Sequence, residues 1–164
     1  MGKTALVVID LQNDITKHYV EIIDAVNAAV GQAVTLGLPV VYIRHENVTP
    51  ASRTFRPGTK GAALVPELRV VSDNVFVKTK SNALSSEDFA AFIAREEITD
   101  FVVLGADATA CVKSTCFNMR RAGYGVTVLS DCVTSYDKTK IPEMLTYYES
   151  HGCVLQTAAE WSQT

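Results

Sequence analysis

No hydrophobic stretch in this chain approaches the roughly 20 residues that a membrane span needs, so no membrane partner is expected. Basic residues are not in excess: 15 Lys and Arg against 18 Asp and Glu leave a formal net charge of −3, which gives no footprint for nucleic acid. Only 4 cysteines and 3 histidines occur, with no C-x-x-C pair and no Cys/His cluster of zinc spacing. A disulfide framework and a structural zinc site are therefore both unexpected. Repeats, linkers and low-complexity segments are missing, and residues 1–164 are expected to form one domain. No secretory leader is expected, because the apolar stretch 5–9 is too short for one and runs into Asp10. Leu6 also stands where an N-myristoylation site requires Ser or Thr. These absences point to a cytoplasmic protein with reduced thiols and a small-molecule substrate.

What is present is 48% hydrophobic residues in a regular order. Short apolar runs predict strands at 5–10, 39–45, 75–78, 101–105, 125–130 and 153–156. Between them, three- and four-residue spacing predicts helices over about 20–34, 86–97, 111–122 and 142–151, with Pro142 suited to a first turn and Gly152 to a C-terminal stop. Buried, non-alternating strands between helices predict a single-domain, doubly wound α/β protein. Its form would be a Rossmann-like three-layer sandwich around a mainly parallel six-stranded sheet. Val75, Phe76 and Val77 read as fully buried. The long irregular stretch 46–61 is of the kind that usually carries function.

Ligands of an open parallel sheet bind outside the carboxyl ends of its strands. Asp10 ends the first predicted strand, His45 the second and Lys78 the third, while Cys111 follows the fourth at a strand-turn-helix elbow. A cysteine at a helix N-terminus tends toward the thiolate and lies near unpaired backbone N–H groups. Each residue also has a plainer reading: core filler for Cys111, a cap for Asp10, a rim residue for His45, a surface cation for Lys78. A lysine leaving a buried strand needs a partner, however, and Asp10 is the natural one. Cys116, Cys132 and Cys153 read as core. Arg53, Arg56 and Lys60 read as a solvated basic loop that is also able to attract an anion.

Three stretches then match a known pattern in order. They are Val7-Val8-Ile9-Asp10-Leu11-Gln12-Asn13-Asp14, Phe76-Val77-Lys78-Thr79-Lys80-Ser81-Asn82-Ala83-Leu84 and Gly105-Ala106-Asp107-Ala108-Thr109-Ala110-Cys111-Val112. Over nearly its whole length the chain resembles the isochorismatase-like cysteine hydrolases, which include nicotinamidases and N-carbamoyl amide hydrolases. The resemblance implies an Asp10–Lys78–Cys111 catalytic triad. It also implies a non-proline cis peptide at Ala106–Asp107 and an oxyanion hole made by the backbone N–H groups of Asp107 and Cys111. A homo-oligomer is implied as well. Ser81, Asn82, Leu84 and Ile15 depart from the residues usual in the family. Ile15, Asn82 and Leu84, with Gln12 and His45, are expected to line the substrate pocket. Ala108 stands where the nucleophile turn usually has Thr. The metal-binding D-x-H of nicotinamidases is replaced by Arg44-His45-Glu46, so neither metal nor other cofactor is expected.

These expectations combine into a metal-independent cysteine hydrolase that cleaves a C–N bond of a small amide or ureido compound through a thioester. Asp10 would carry the proton and Lys78 would offset the negative charge. The alternatives are an isochorismatase-type enol-ether hydrolase and a redox-responsive thiol protein without turnover. A nucleotide-binding module is disfavoured, because Leu11-Gln12-Asn13-Asp14 stands where a Gly-rich phosphate loop would follow the first strand.

Overall fold

Along β1 (Thr4–Ile9), Ala5, Val7 and Ile9 face one side and Leu6 and Val8 the other, and all five are fully buried. Both faces of this strand must therefore be covered. In the computed structural model, which describes residues 2–163, β1 sits inside a six-stranded sheet. The other strands are β2 (Val40–His45), β3 (Val75–Lys78), β4 (Asp100–Ala106), β5 (Gly125–Thr134) and β6 (Val154–Gln156). Their order is β3-β2-β1-β4-β5-β6, and every pairing is parallel. Helices α2 (Glu87–Glu96), α3 (Cys111–Arg121) and α4 (Ile141–Ser150) cover the side of Val7 and Ile9 with Phe89, Phe92, Val112, Met119 and Tyr148. Helices α1 (Ile23–Thr35) and α5 (Ala158–Ser162) cover the side of Leu6 and Val8 with Val26, Val30, Ala33 and Trp161. This is the doubly wound, three-layer α/β arrangement expected from the sequence. No helix among the described residues is long and apolar enough to cross a membrane.

The differences from expectation have local causes. Two short 3-10 turns, Thr16–His18 and Val20–Ile22, precede α1, which starts only at Ile23 and leaves Val20 exposed. Helix α5 was not anticipated, although its signal is present: Thr157 and Glu160 form a reciprocal capping box. Val75, Phe76 and Val77 are partly buried and not fully buried, because β3 is an edge strand with a neighbour on one side only. Lys78 at its end is nevertheless 1% exposed, which makes the lysine more deeply buried than the apolar residues leading to it.

The chain winds from β1 outward to β2 and β3 in one direction and from β4 outward to β5 and β6 in the other. β1 and β4 are neighbours across this switch, and the loops leaving them diverge and open a crevice. The two backbones meet closely there. Gly105 has φ 119°, and a Cβ at that position would lie 2.2 Å from the Ile9 carbonyl oxygen. Only glycine satisfies both the conformation and the space. Gly105→Ala is accordingly expected to destabilise the domain by about 3 kcal/mol, through a positive-φ penalty plus displacement of β1 beside Asp10. For a domain of this size that lowers Tm by about 6–12 °C, which a thermal melt checks.

Candidate active site

Four polar groups from four different segments meet at this crevice. Asp10 is the first residue beyond β1, has φ 54°, and is anchored by its N–H to the Ile43 carbonyl at 3.0 Å. A short polar residue tolerates this left-handed conformation, which turns the chain out of the strand. His45 and Lys78 end β2 and β3 and are register partners. Cys111 is the first residue of α3. The Lys78 ammonium lies 3.0 Å from Asp10 Oδ2, 2.9 Å from His45 Nδ1 and 3.2 Å from Cys111 Sγ. The structure thus brings the expected trio together and adds His45 as a fourth member.

Charge in this cluster is governed by burial. Asp10 and Lys78 are 2% and 1% exposed, and desolving a charge is costly unless a partner compensates. Burial pushes the Asp10 carboxyl above its ordinary value, with Lys78 and the Cys111 thiol opposing. The Cys111 thiol is pushed up to about 12, first by burial and then by the Asp10 charge, and Lys78 offsets only part of this. Burial thus outweighs the tendency toward the thiolate expected of a cysteine at a helix N-terminus. The helix end, with Ala110 as an N-cap that makes no side-chain hydrogen bond, and one shared cation do not outweigh desolvation and an adjacent carboxylate. The direction of this shift favours the neutral thiol. Asp10 Oδ1 is buried without a hydrogen-bond partner among the described residues, an acceptor position open to the thiol proton. Burial and the nearby Lys78 hold His45 below its ordinary value, so its ring is neutral.

The turn from β4 to α3 presents the donors. The Ala106–Asp107 peptide is cis. Neither the Asp107 N–H nor the Cys111 N–H is taken by an acceptor among the described residues. The Asp107 side chain is clamped: Oδ1 accepts from the Thr109 N–H at 2.8 Å and hydroxyl at 2.9 Å, and Oδ2 from the Tyr136 N–H at 2.9 Å and the Tyr19 hydroxyl at 3.0 Å. Although burial raises its pKa, the bonds from Tyr136 and Thr109 keep the Asp107 carboxyl below its ordinary value. Ala108 is fully buried, its N–H bonded to the Thr134 carbonyl and its carbonyl to the Tyr148 hydroxyl. Beside the buried methyl of Ala108, Thr109 supplies a hydroxyl to Asp107. The role of Thr109 was not anticipated from sequence, and Tyr19, 88 residues from Asp107, gave no local signal.

The residues expected to line a pocket fare differently. Gln12 is fully buried and spends its amide on backbone: Nε2 donates to the carbonyls of His45 and Ala62, each at 2.8 Å, and Oε1 accepts from the His45 N–H at 2.8 Å. It is a brace for the end of β2, with its polar atoms already engaged. Asn82 caps a 3-10 turn through Oδ1 to the Leu84 N–H at 2.9 Å. Ile15 packs on the α1 side of the sheet and Leu84 on the α3 side, both partly buried. Arg56 bonds to the Pro50 and Ser52 carbonyls of its own loop.

Donor atoms of Asp10, His45 and Cys111 lie within 4.8 Å of one another, a set that is chemically capable of holding a metal ion. Lys78 Nζ contacts all three residues, so a cation already stands among them. A metal would have to displace a buried ammonium, and the residues present do not fit one. The other histidines pack elsewhere, His18 against Tyr136 and His151 against Tyr147.

Residues 4–160 match the family model of the isochorismatase domain. An uncharacterized isochorismatase family protein, YddQ of Bacillus subtilis (strain 168), is 27% identical over 141 residues, covering 80% of this chain and 78% of the relative. A protein of Arabidopsis thaliana described as a probable inactive nicotinamidase is 26% identical, covering 98% and 95%. Among solved structures, N-carbamoylsarcosine amidase from Thermoplasma acidophilum superposes with a TM-score of 0.83 at 22% identity, covering 96% of this chain and 98% of that one.

The opposed effects of Asp10 and Lys78 on the thiol can be measured directly. Asp10→Asn removes the charge that raises the Cys111 pKa, so the pH profile of Cys111 alkylation by iodoacetamide is expected to move to lower pH, although the base is lost. Lys78→Met is expected to move it to higher pH, at about tenfold in rate per pKa unit at a given pH. Peptide mapping after short pulses reads both.

Proposed function

This chain belongs to the isochorismatase family, whose members are hydrolases, and we propose that it is a metal-independent cysteine hydrolase that cleaves the C–N bond of a small amide or ureido compound. The observation that carries the reading is the contact of one buried ammonium with both the Asp10 carboxylate and the Cys111 sulfur at the switch point of the sheet. A thiol with a pKa near 12 is a poor nucleophile unless its proton has somewhere to go, and the Asp10 carboxyl, its pKa raised by burial, is a correspondingly better base.

The proposed steps balance on these residues. The Cys111 sulfur attacks the carbonyl carbon while its proton passes to Asp10. The Lys78 ammonium compensates the carboxylate at rest, the sulfur as its proton leaves, and the carboxylate again once that proton has passed on. The tetrahedral oxyanion forms at the N–H groups of Asp107 and Cys111, where each donor is worth about 3–4 kcal/mol by comparison with other oxyanion holes. Collapse breaks the C–N bond, and Asp10 returns the proton to the leaving nitrogen. Water then attacks the thioester, its proton going to Asp10 and from there to the departing Cys111 sulfur. The resemblance to an N-carbamoylsarcosine amidase fold supports an amide or ureido substrate, and the plant relative, described as probably inactive, gives no reason to favour nicotinamide. A homo-oligomer in solution belongs to the same reading.

An ammonia-release screen over small primary amides, ureido acids and nicotinamide tests it. At least one amide or ureido compound is expected to turn over, with no loss on prolonged chelation and a fall of at least 10³-fold in Cys111→Ala, the scale of losing a nucleophile. Turnover that survives the alanine, or that disappears with chelation, would falsify the assignment. Peroxide consumption without release from any amide would favour the redox alternative.

A further inference from the structure

The ammonium of Lys78 has three N–H donors and meets three acceptors, and the third is the least explained. His45 Nδ1 lies 2.9 Å from Nζ. Lysine offers no acceptor, so at this contact Nδ1 must be the unprotonated ring nitrogen. The ring proton therefore sits on Nε2, which is 2.8 Å from Asn47 Oδ1. Asn47 is in turn oriented by the loop: its Nδ2 donates to the Thr54 carbonyl at 3.0 Å and hydroxyl at 3.3 Å, which leaves Oδ1 toward the histidine. The Asn47 N–H bonds to the Phe55 carbonyl at 2.8 Å, and the Phe55 N–H bonds to Asp14 Oδ2 at 2.7 Å. The Phe55 ring lies 5.9 Å from the imidazole. Gln12 clamps both backbone groups of His45. Both ring nitrogens and both backbone groups of His45 are thus occupied within the protein.

Building on the cysteine hydrolase reading, we propose that His45 is a positioning residue and not a substrate ligand. As the Nε2–H tautomer locked by Asn47, it takes the third N–H of Lys78 and holds the ammonium against Asp10 and Cys111. The long loop 46–61 thereby acts on the chemistry at a distance, by choosing which nitrogen of His45 carries the proton. The groups around the ring agree. Lys78 disfavours a second cation 2.9 Å away, whereas Asn47, Asp10 and the Lys80 carbonyl favour one, and burial tips the balance to the neutral ring.

The test compares His45→Leu, which has no acceptor, with His45→Asn, whose Oδ1 stands near the place of Nδ1. Three readings are taken: Cys111 alkylation in the free protein between pH 6 and 10, kcat and KM, and ring ¹⁵N shifts of the wild type. Expected are an alkylation rate at least fivefold lower in His45→Leu, and kcat at least tenfold lower with KM within about twofold. His45→Asn should recover a substantial part of both, and the wild-type ring should show protonated Nε2 with unprotonated Nδ1 at neutral pH. Alkylation unchanged in His45→Leu, equal losses in both variants, a change confined to KM, or the opposite tautomer each overturns the proposal. Should His45→Leu fail to fold, the ¹⁵N shifts and His45→Asn still decide. Alkylation and ¹⁵N shifts need no substrate, so a chain that hydrolyses no amide would sink the hydrolase reading and leave these readings intact.

Discussion

A lysine ammonium with 1% exposure is the constraint on which the rest of the molecule depends. Removing such a charge from water costs several kcal/mol, recovered only if each of its donors finds a well-placed acceptor. The acceptors come from the loop after β1, the end of β2 and the start of α3, while the lysine comes from the end of β3. Burying one cation therefore ties together four segments that are far apart in sequence. The strand order makes this possible, since β3, β2, β1 and β4 are consecutive in the sheet and their carboxyl ends lie along one edge. The same geometry that repays the desolvation of Lys78 brings a carboxylate and a thiol within 4.8 Å of each other beside it.

The count of charges then limits the resting state. A carboxylate, an ammonium, a neutral imidazole and a thiol sum to zero. Ionising the thiol as well would put two anions on one cation in a buried volume, and the thiol pKa near 12 expresses that cost. Protonating His45 would instead set two cations 2.9 Å apart. One proton between sulfur and carboxylate keeps the cluster neutral, and groups coupled this closely titrate as one unit. In the proposed reaction, attack on a carbonyl would relieve the conflict, because the charge would leave the sulfur for an oxygen held by separate donors.

Much of this was legible in the sequence because it is written in local pattern. The six strands show as apolar runs; Asp10, His45 and Lys78 are conspicuous for ending such runs in a reactive group, and Cys111 for opening the helix that follows one. The parts that were not legible depend on which segments meet. Gln12 is chemically free in sequence and fully engaged in space, because residues 45 and 62 flank it. The partial burial of β3 follows from its edge position, which no property of Val75, Phe76 and Val77 specifies. The same holds for the thiol: a helix N-terminus is visible in sequence, but the degree of burial that outweighs its pull toward the thiolate is not.

The nucleophile turn shows how a family pattern can change residues while keeping its physics. What an oxyanion donor needs is a peptide plane that does not move when charge arrives. Replacing a threonine by Ala108 puts a methyl in the core and gives up one hydroxyl, yet the neighbouring Thr109 bonds to Asp107 with both its hydroxyl and its N–H. Tyr19 and Tyr136 hold the other carboxylate oxygen, and Tyr148 holds the Ala108 carbonyl from beneath. The turn is therefore braced from within by Thr109, and from the segment before α1, from just beyond β5 and from α4. A turn braced this way does not depend on a hydroxyl at 108. It requires that the bonds restraining Asp107 be made by some residue, and the surrounding helices and strand ends supply enough candidates for the pattern to drift while the donors stay in place.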